Sequence, residues 1–230
     1  MFTNLLARIG LGAVRGLAQS ATGHAPYAEA HVNFLYNSLF CDSLALFRRQ
    51  NIGADEEPWL TLFAAHPAEA ALRRIADGWS DESRVRALAF RRLRDIGAAV
   101  APKILLGVIV EVPLQCGLDV LAAYSDGRVR YINQTGRISI FEGGPAVVET
   151  LARELIVAAL PLVQRTAPSD GARLPPPRAA CMRITFLVSD GLHSYEGSFE
   201  QLRADALGAA LLGKATQLLD AVVDSALHPR

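Results

Sequence analysis

The chain is short of the residues on which several function classes depend. It has three cysteines, Cys41, Cys116 and Cys181, in no CxxC or Cys/His ligand spacing. Neither a disulfide framework nor a structural zinc site is expected from that pattern. Each thiol reads as a small buried hydrophobe, and the compartment expected is a reducing one, the cytoplasm. An excess of charge of one sign is also lacking. Lysine plus arginine number 23 and aspartate plus glutamate 23, so the formal net charge is zero. The broad basic field of a nucleic-acid binder is therefore missing, and nucleic acid is not an expected partner. No run of about 18 apolar residues occurs, so no transmembrane helix is expected.

Signature motifs are lacking as well. There is no GxxxxGK[ST] phosphate loop, no GxGxxG after a strand, no GxSxG elbow and no HExxH. The five histidines, His24, His31, His66, His193 and His228, are isolated in sequence. No metal and no cofactor is expected from these features.

What is present is enough apolar material for a packed core. The chain has 230 residues, 51% hydrophobic and 20% charged, which suits one or two globular domains. The first hundred residues read as a helical subdomain, 1–100. Its opening stretch, MFTNLLARIGLGAVRGLAQS, holds Arg8 and Arg15 and no acid. Leu5, Leu6, Ile9, Val14 and Leu17 can share a helical face, and a basic amphipathic segment of this kind can lie on a membrane surface or dock on protein. Val32, Tyr36, Leu39 and Phe40 form an apolar stripe in the next helix. Pro58 and Pro67 sit where helices begin. Ser80 is placed to cap a helix ending at Asp95, with Val85, Leu88, Ala89 and Ile96 inward and Gly97 as the stop.

The pattern changes after Pro102, and residues 101–230 read as an α+β domain with an antiparallel sheet. ILLGVIVEV at 104–112 suits a strand covered on both faces and ended by Pro113. LDVLAAY, RVRYIN and RISIFE follow, joined by Ser-Asp-Gly and Gln-Thr-Gly turns, which predicts a β-meander with two hairpins. A helix from Pro145 is kinked or ended by Pro161. The stretch 166–178 reads as an exposed loop. Strands at 182–191 and 192–199 and a helix at 206–227 complete the chain. The fold class is α+β: a helical N-terminal half, then an antiparallel meander sheet covered by two helices. In outline this order is similar to profilin-like or roadblock-like modules, a topological analogy that carries no function.

The candidate site residues come from the sheet and its turns. Glu111 stands late in an apolar strand, where burial of a carboxylate costs several kcal/mol unless it is paired or protonated; exposure at the strand end is the cheaper arrangement. Tyr124 and Tyr131 can offer hydroxyls to a ligand or pack as β-favouring aromatics. Asn133 lies beside them in sequence. Asp190, His193 and Tyr195 form a loop-borne polar group, the kind of position that carries binding residues. The arginines of 73–94, mixed with acids, read as a solvated helical face.

Three functions follow as expectations. The first is a non-enzymatic cytoplasmic protein-binding or adaptor protein, accessory, chaperone or immunity-like, whose partner is another protein or a second copy. It would act through its apolar helices or a sheet edge. The second is an enzyme of unrecognised class with a polar site around Glu111, Asp190 and His193, which requires those side chains to converge in one pocket. The third is a peripheral membrane protein held by residues 1–20.

Overall fold

The structure, a computed structural model, describes residues 23–48, 55–78, 82–169 and 173–227. The amphipathic segment 1–20, Ser80 and His228 lie outside the described residues. Among the described residues five helices come first: α1 (Ala30–Ser38), α2 (Leu44–Arg48), α3 (Trp59–Phe63), α4 (Glu69–Asp77) and α5 (Ser83–Asp95). Four strands follow as β1 (Leu105–Leu114), β2 (Gly117–Tyr124), β3 (Val129–Ile132) and β4 (Ile138–Phe141). Then come α6 (Ala146–Arg165), β5 (Met182–Val188), β6 (Gly191–Gly197), α7 (Phe199–Ala204) and α8 (Ala206–Leu227). The expected α+β architecture is the one found: a single antiparallel sheet of order β4-β3-β2-β1-β5-β6.

Alternation along the strands gives the sheet two apolar faces. Leu106 and Ile109 of β1, with Val120, Ala122 and Tyr124 of β2, join Tyr36, Phe40, Leu62, Leu72 and Leu88 of the helical half in one core. Val108, Val110 and Leu121 turn the other way, into a second core with Leu155, Ala159, Leu211 and Leu218 of α6 and α8. The molecule is thus three layers, helices on both faces of the sheet, and β1 is buried on both sides as its apolar run requires. Apolar contact crosses the compositional boundary near residue 100 without interruption.

The meander follows its turns. Gly127 and Gly136 take the positive φ that these tight hairpins demand, +88° and +82°. Several local readings are corrected by the tertiary context. Pro113 does not end β1; it pairs with Leu118, and the strand runs on to Leu114. Pro161 does not end α6, because its ring faces solvent and the helix continues to Arg165. There Lys103 Nζ donates to the carbonyls of Val163, Gln164 and Thr166, at 2.9–3.2 Å, and so finishes the helix. Ile96, assigned inward, is 42% exposed, at the helix end beyond the buried stripe. Cys41 is buried, but Cys116 is exposed and Cys181 half-buried.

The residue before α5 is Glu82, which makes no side-chain cap bond. The cap comes from the sheet instead: Asp126 Oδ2 accepts from the Ser83 amide at 2.7 Å, and Ser83 Oγ accepts from the Asp126 amide at 3.0 Å. A turn aspartate therefore also fastens the helical layer to the hairpin.

The helix α8 is long and apolar enough by composition to cross a membrane. In the fold its buried residues, Leu211, Leu212, Ala215, Leu218 and Val222, face α6, while Asp220 and Asp224 are exposed. Its start packs closely on α7. A Cβ added to Gly208 would overlap the Leu202 carbonyl oxygen, which is backbone and has little room to yield. Gly208→Ala is expected to destabilise by about 1–3 kcal/mol, the usual range for forced overpacking. Chemical denaturation measures it; an unchanged midpoint would mean that the α7–α8 elbow gives freely.

Candidate functional site

The sequence-derived candidates do not form one site. Register decides the point. Glu111 lies opposite Arg183 and His193 opposite Phe186, and Arg183 and Phe186 are three apart on β5. Cross-strand partners share a face and odd separations change it. Glu111 therefore faces the helical layer and His193 faces α6 and α8. The convergence that the enzyme reading requires is not found for these two.

Glu111 is buried, 1% exposed, against the expectation of a solvent-facing strand end. The helix α1 covers it, and the Tyr36 hydroxyl donates to Oε1 at 2.6 Å. Arg183 stands 4.0 Å from its other oxygen and is itself bound to Glu196 at 2.6 Å. Burial pushes the Glu111 carboxyl above its ordinary range, against the pull of the Tyr36 bond and of Arg183 and Arg173.

His193 is fully buried and both ring nitrogens are engaged. Nδ1 lies 2.9 Å from Thr166 Oγ1, at the end of α6, and Nε2 lies 2.9 Å from Asp190 Oδ1. Backbone contacts Pro168–His193 and Ser169–Leu192 continue the join. The pair thus pins the loop after α6 to the β5–β6 hairpin. Tyr124 is fully buried on the helical face, and its hydroxyl donates to the Leu39 carbonyl at 3.0 Å. Tyr131 is on the opposite face, where its hydroxyl donates to Asp119 at 2.9 Å. Asn133 closes the β3–β4 turn, its Oδ1 accepting from the Thr135 and Arg137 amides. Tyr195 is half-buried beside the second core. It is on β6, four strand spacings or about 19 Å from Tyr131 on β3.

Sequence reasoning missed the arginines. The arginines of 73–94 are a solvated face only in part: Arg73 and Arg91 make exposed pairs with Glu69 and Asp95, but Arg86 is buried and donates to the Ala76 carbonyl at 2.9 Å, and Arg84 lies over the rings of Phe47 and Tyr124. Arg173, placed by sequence in an exposed loop, is inserted beneath it. Its side chain is 8% exposed, stacked 3.9 Å over the Phe40 ring, with Nε donating to Asp42 at 2.8 Å and Nη2 to Asn37.

Arg173, Phe40 and Asp42 border a cleft of about 860 Å³. Its floor is the part of β5 and β6 that the helical layer leaves open, Arg183, Thr185 and Leu187 with Leu192 and Ser194. Ala87, Arg91 and Arg94 of α5, spaced to share one helix face, form one wall. Asp42, Arg173 and Leu174 form another, and Asp190 closes the end at the β5–β6 turn. Of the predicted group, Asp190 and His193 border this cleft, while Tyr124, Tyr131, Asn133 and Tyr195 do not. Besides those two, the spacing of Ala87, Arg91 and Arg94 on one helix face is a sequence signal that could have found it. Comparison with protein-family models, with curated proteins and with solved structures finds no match to this chain.

Proposed function

We propose that this chain is a non-enzymatic protein-binding or adaptor protein, and that its contact surface is the cleft between α5 and the β5–β6 hairpin. One observation supports this reading above others: the polar groups suited to bond-making are spent on the fold, while arginines line the open concavity. Glu111 accepts from Tyr36, both nitrogens of His193 are bonded, and the Tyr124 and Tyr131 hydroxyls are donated internally. A general base needs an acceptor within reach of a substrate proton, and Glu111 and His193, 1% and 0% exposed, are closed in by their partners in the fold. Arginine suits recognition, because its planar fork binds carboxylates at two points.

The test compares wild type with an Arg91→Ala/Arg94→Ala variant of matched thermal midpoint, each used as bait with proteins of its own cells. Proteins retained by wild type, lost from the variant and released chemically unchanged are the expected result. Retention indifferent to the two arginines, or release of a converted molecule, would overturn the proposal.

A further inference from the structure

We infer that the segment received by the cleft is an acidic stretch of a partner protein in which carboxylates alternate with apolar side chains. The inference rests on the binding function proposed above and adds the chemistry of what is bound. Its basis is an imbalance of charge. Among the described residues four guanidiniums, Arg91, Arg94, Arg173 and Arg183, line the space, against two carboxylates, Asp42 and Asp190. Both carboxylates are already committed, Asp42 to Arg173 at 2.8 Å and Asp190 to His193 at 2.9 Å.

The arginines are satisfied unequally. Arg183 is held by Glu196 and by the Pro175 carbonyl. Among the described residues Arg91 pairs only with Asp95, at 3.9 Å on its own helix. Arg94 donates to the Ser189 carbonyl and has no carboxylate within ion-pair distance among the described residues. Burial and the neighbouring Arg91 guanidinium lower the proton affinity of Arg94. Among the described residues Arg173 Nη1 meets no acceptor, and more than nine-tenths of the side chain is covered. A buried donor without an acceptor is costly, and a charged one more so. An incoming carboxylate between Arg91 and Arg94 answers two of these demands at once.

Exposed Leu174 and half-buried Leu192 also line the cleft, so it offers apolar contact as well as charge. Several separated positive groups along an open cleft fit a chain of carboxylates better than a single compact anion. The chain's own segment 1–20 has the wrong sign, with Arg8 and Arg15 and no acid.

A short fluorescein-labelled peptide of alternating glutamate and leucine serves as the probe, with its glutamine–leucine counterpart and citrate as comparisons. Fluorescence anisotropy on the full chain is expected to show saturable binding of the glutamate peptide. It should weaken as salt is added and at least about tenfold in Arg91→Ala/Arg94→Ala. Arg91→Glu, a reversal at a more exposed position, should weaken it as well while leaving the melting midpoint in place. Equal binding of the glutamine peptide would overturn the acidic partner yet leave a cleft-dependent binding function standing. Citrate competing as tightly as the peptide would overturn it in favour of a small anion. Binding of neither peptide overturns the inference, and the bait comparison above then decides separately whether the cleft binds protein at all.

Discussion

Tyr36→Phe is expected to lower the unfolding free energy by about 2–3 kcal/mol near pH 8 and by less near pH 5, because it takes away the one hydrogen bond that a buried carboxylate receives at short range. Glu111 lies under α1 with Tyr36 Oη 2.6 Å from Oε1 and Arg183 no nearer than 4.0 Å. Its carboxyl is raised by burial, so the folded chain holds this proton more tightly than the unfolded chain. Between the ordinary carboxylate range and the raised value, stability falls as pH rises; below that window the contribution is flat. Removing the Tyr36 donor disfavours the charged form further, which widens the window and deepens the loss at high pH. Glu111→Gln supplies the opposite control. Its amide oxygen can still accept from Tyr36, and no charge has to be buried. It should match wild type in acid and equal or exceed it near pH 8. Urea denaturation of the three proteins across pH measures both curves, and a Tyr36→Phe loss that does not change with pH would show that the carboxyl keeps one charge state throughout.

The contrast between Glu111 and the meander shows where sequence was sufficient. Asp126-Gly127 and Thr135-Gly136 fix hairpins by local backbone chemistry, so β2, β3 and β4 were legible with their ends nearly correct. The helix Ala206–Leu227 was legible because its apolar period is long and unbroken. Its neighbour α7 was readable but not read. Ser198 and Gln201 form a capping box whose spacing is in the sequence. Glu111 could not be judged from β1, since its cover is Tyr36, 75 residues away. Arg173 defeated the loop reading for a related reason. A polar, proline-rich stretch says that the backbone can turn, but not that one side chain will stack on Phe40. The cleft combines both cases. Ala87, Arg91 and Arg94 are visible as a helix face, whereas its floor exists only because β5 and β6 join the sheet beyond the helical layer. Candidate residues drawn from the strands alone were spread over both faces and both ends of the sheet.

Asp126→Ala joins the sheet to the cleft, and it should cost about 2–3 kcal/mol near pH 7 by leaving three donors without their acceptor. The carboxylate accepts from the Ser83 amide at 2.7 Å, the Arg128 amide at 3.0 Å and Arg128 Nη1 at 2.8 Å. Burial opposes its charge, but those amides and the guanidinium outweigh it and hold the carboxyl below its ordinary range. The sign is opposite to that of Glu111. Stability from Asp126 is present above the ordinary carboxylate range and lost as pH falls toward the depressed folded value. Asp126→Asn, which keeps an acceptor without the charge, should lose roughly half as much as the alanine variant near pH 7, and its deficit should shrink in acid. Because Ser83 opens α5, the alanine variant also frees the end of the helix that carries Arg91 and Arg94. Its affinity for the glutamate–leucine peptide should fall even though no cleft arginine is touched, and the asparagine variant should retain more of it. Denaturation across pH together with peptide anisotropy checks this pairing. A variant destabilised as expected but with unaltered peptide affinity would show that α5 keeps its place without Asp126, and that the cap serves the fold alone.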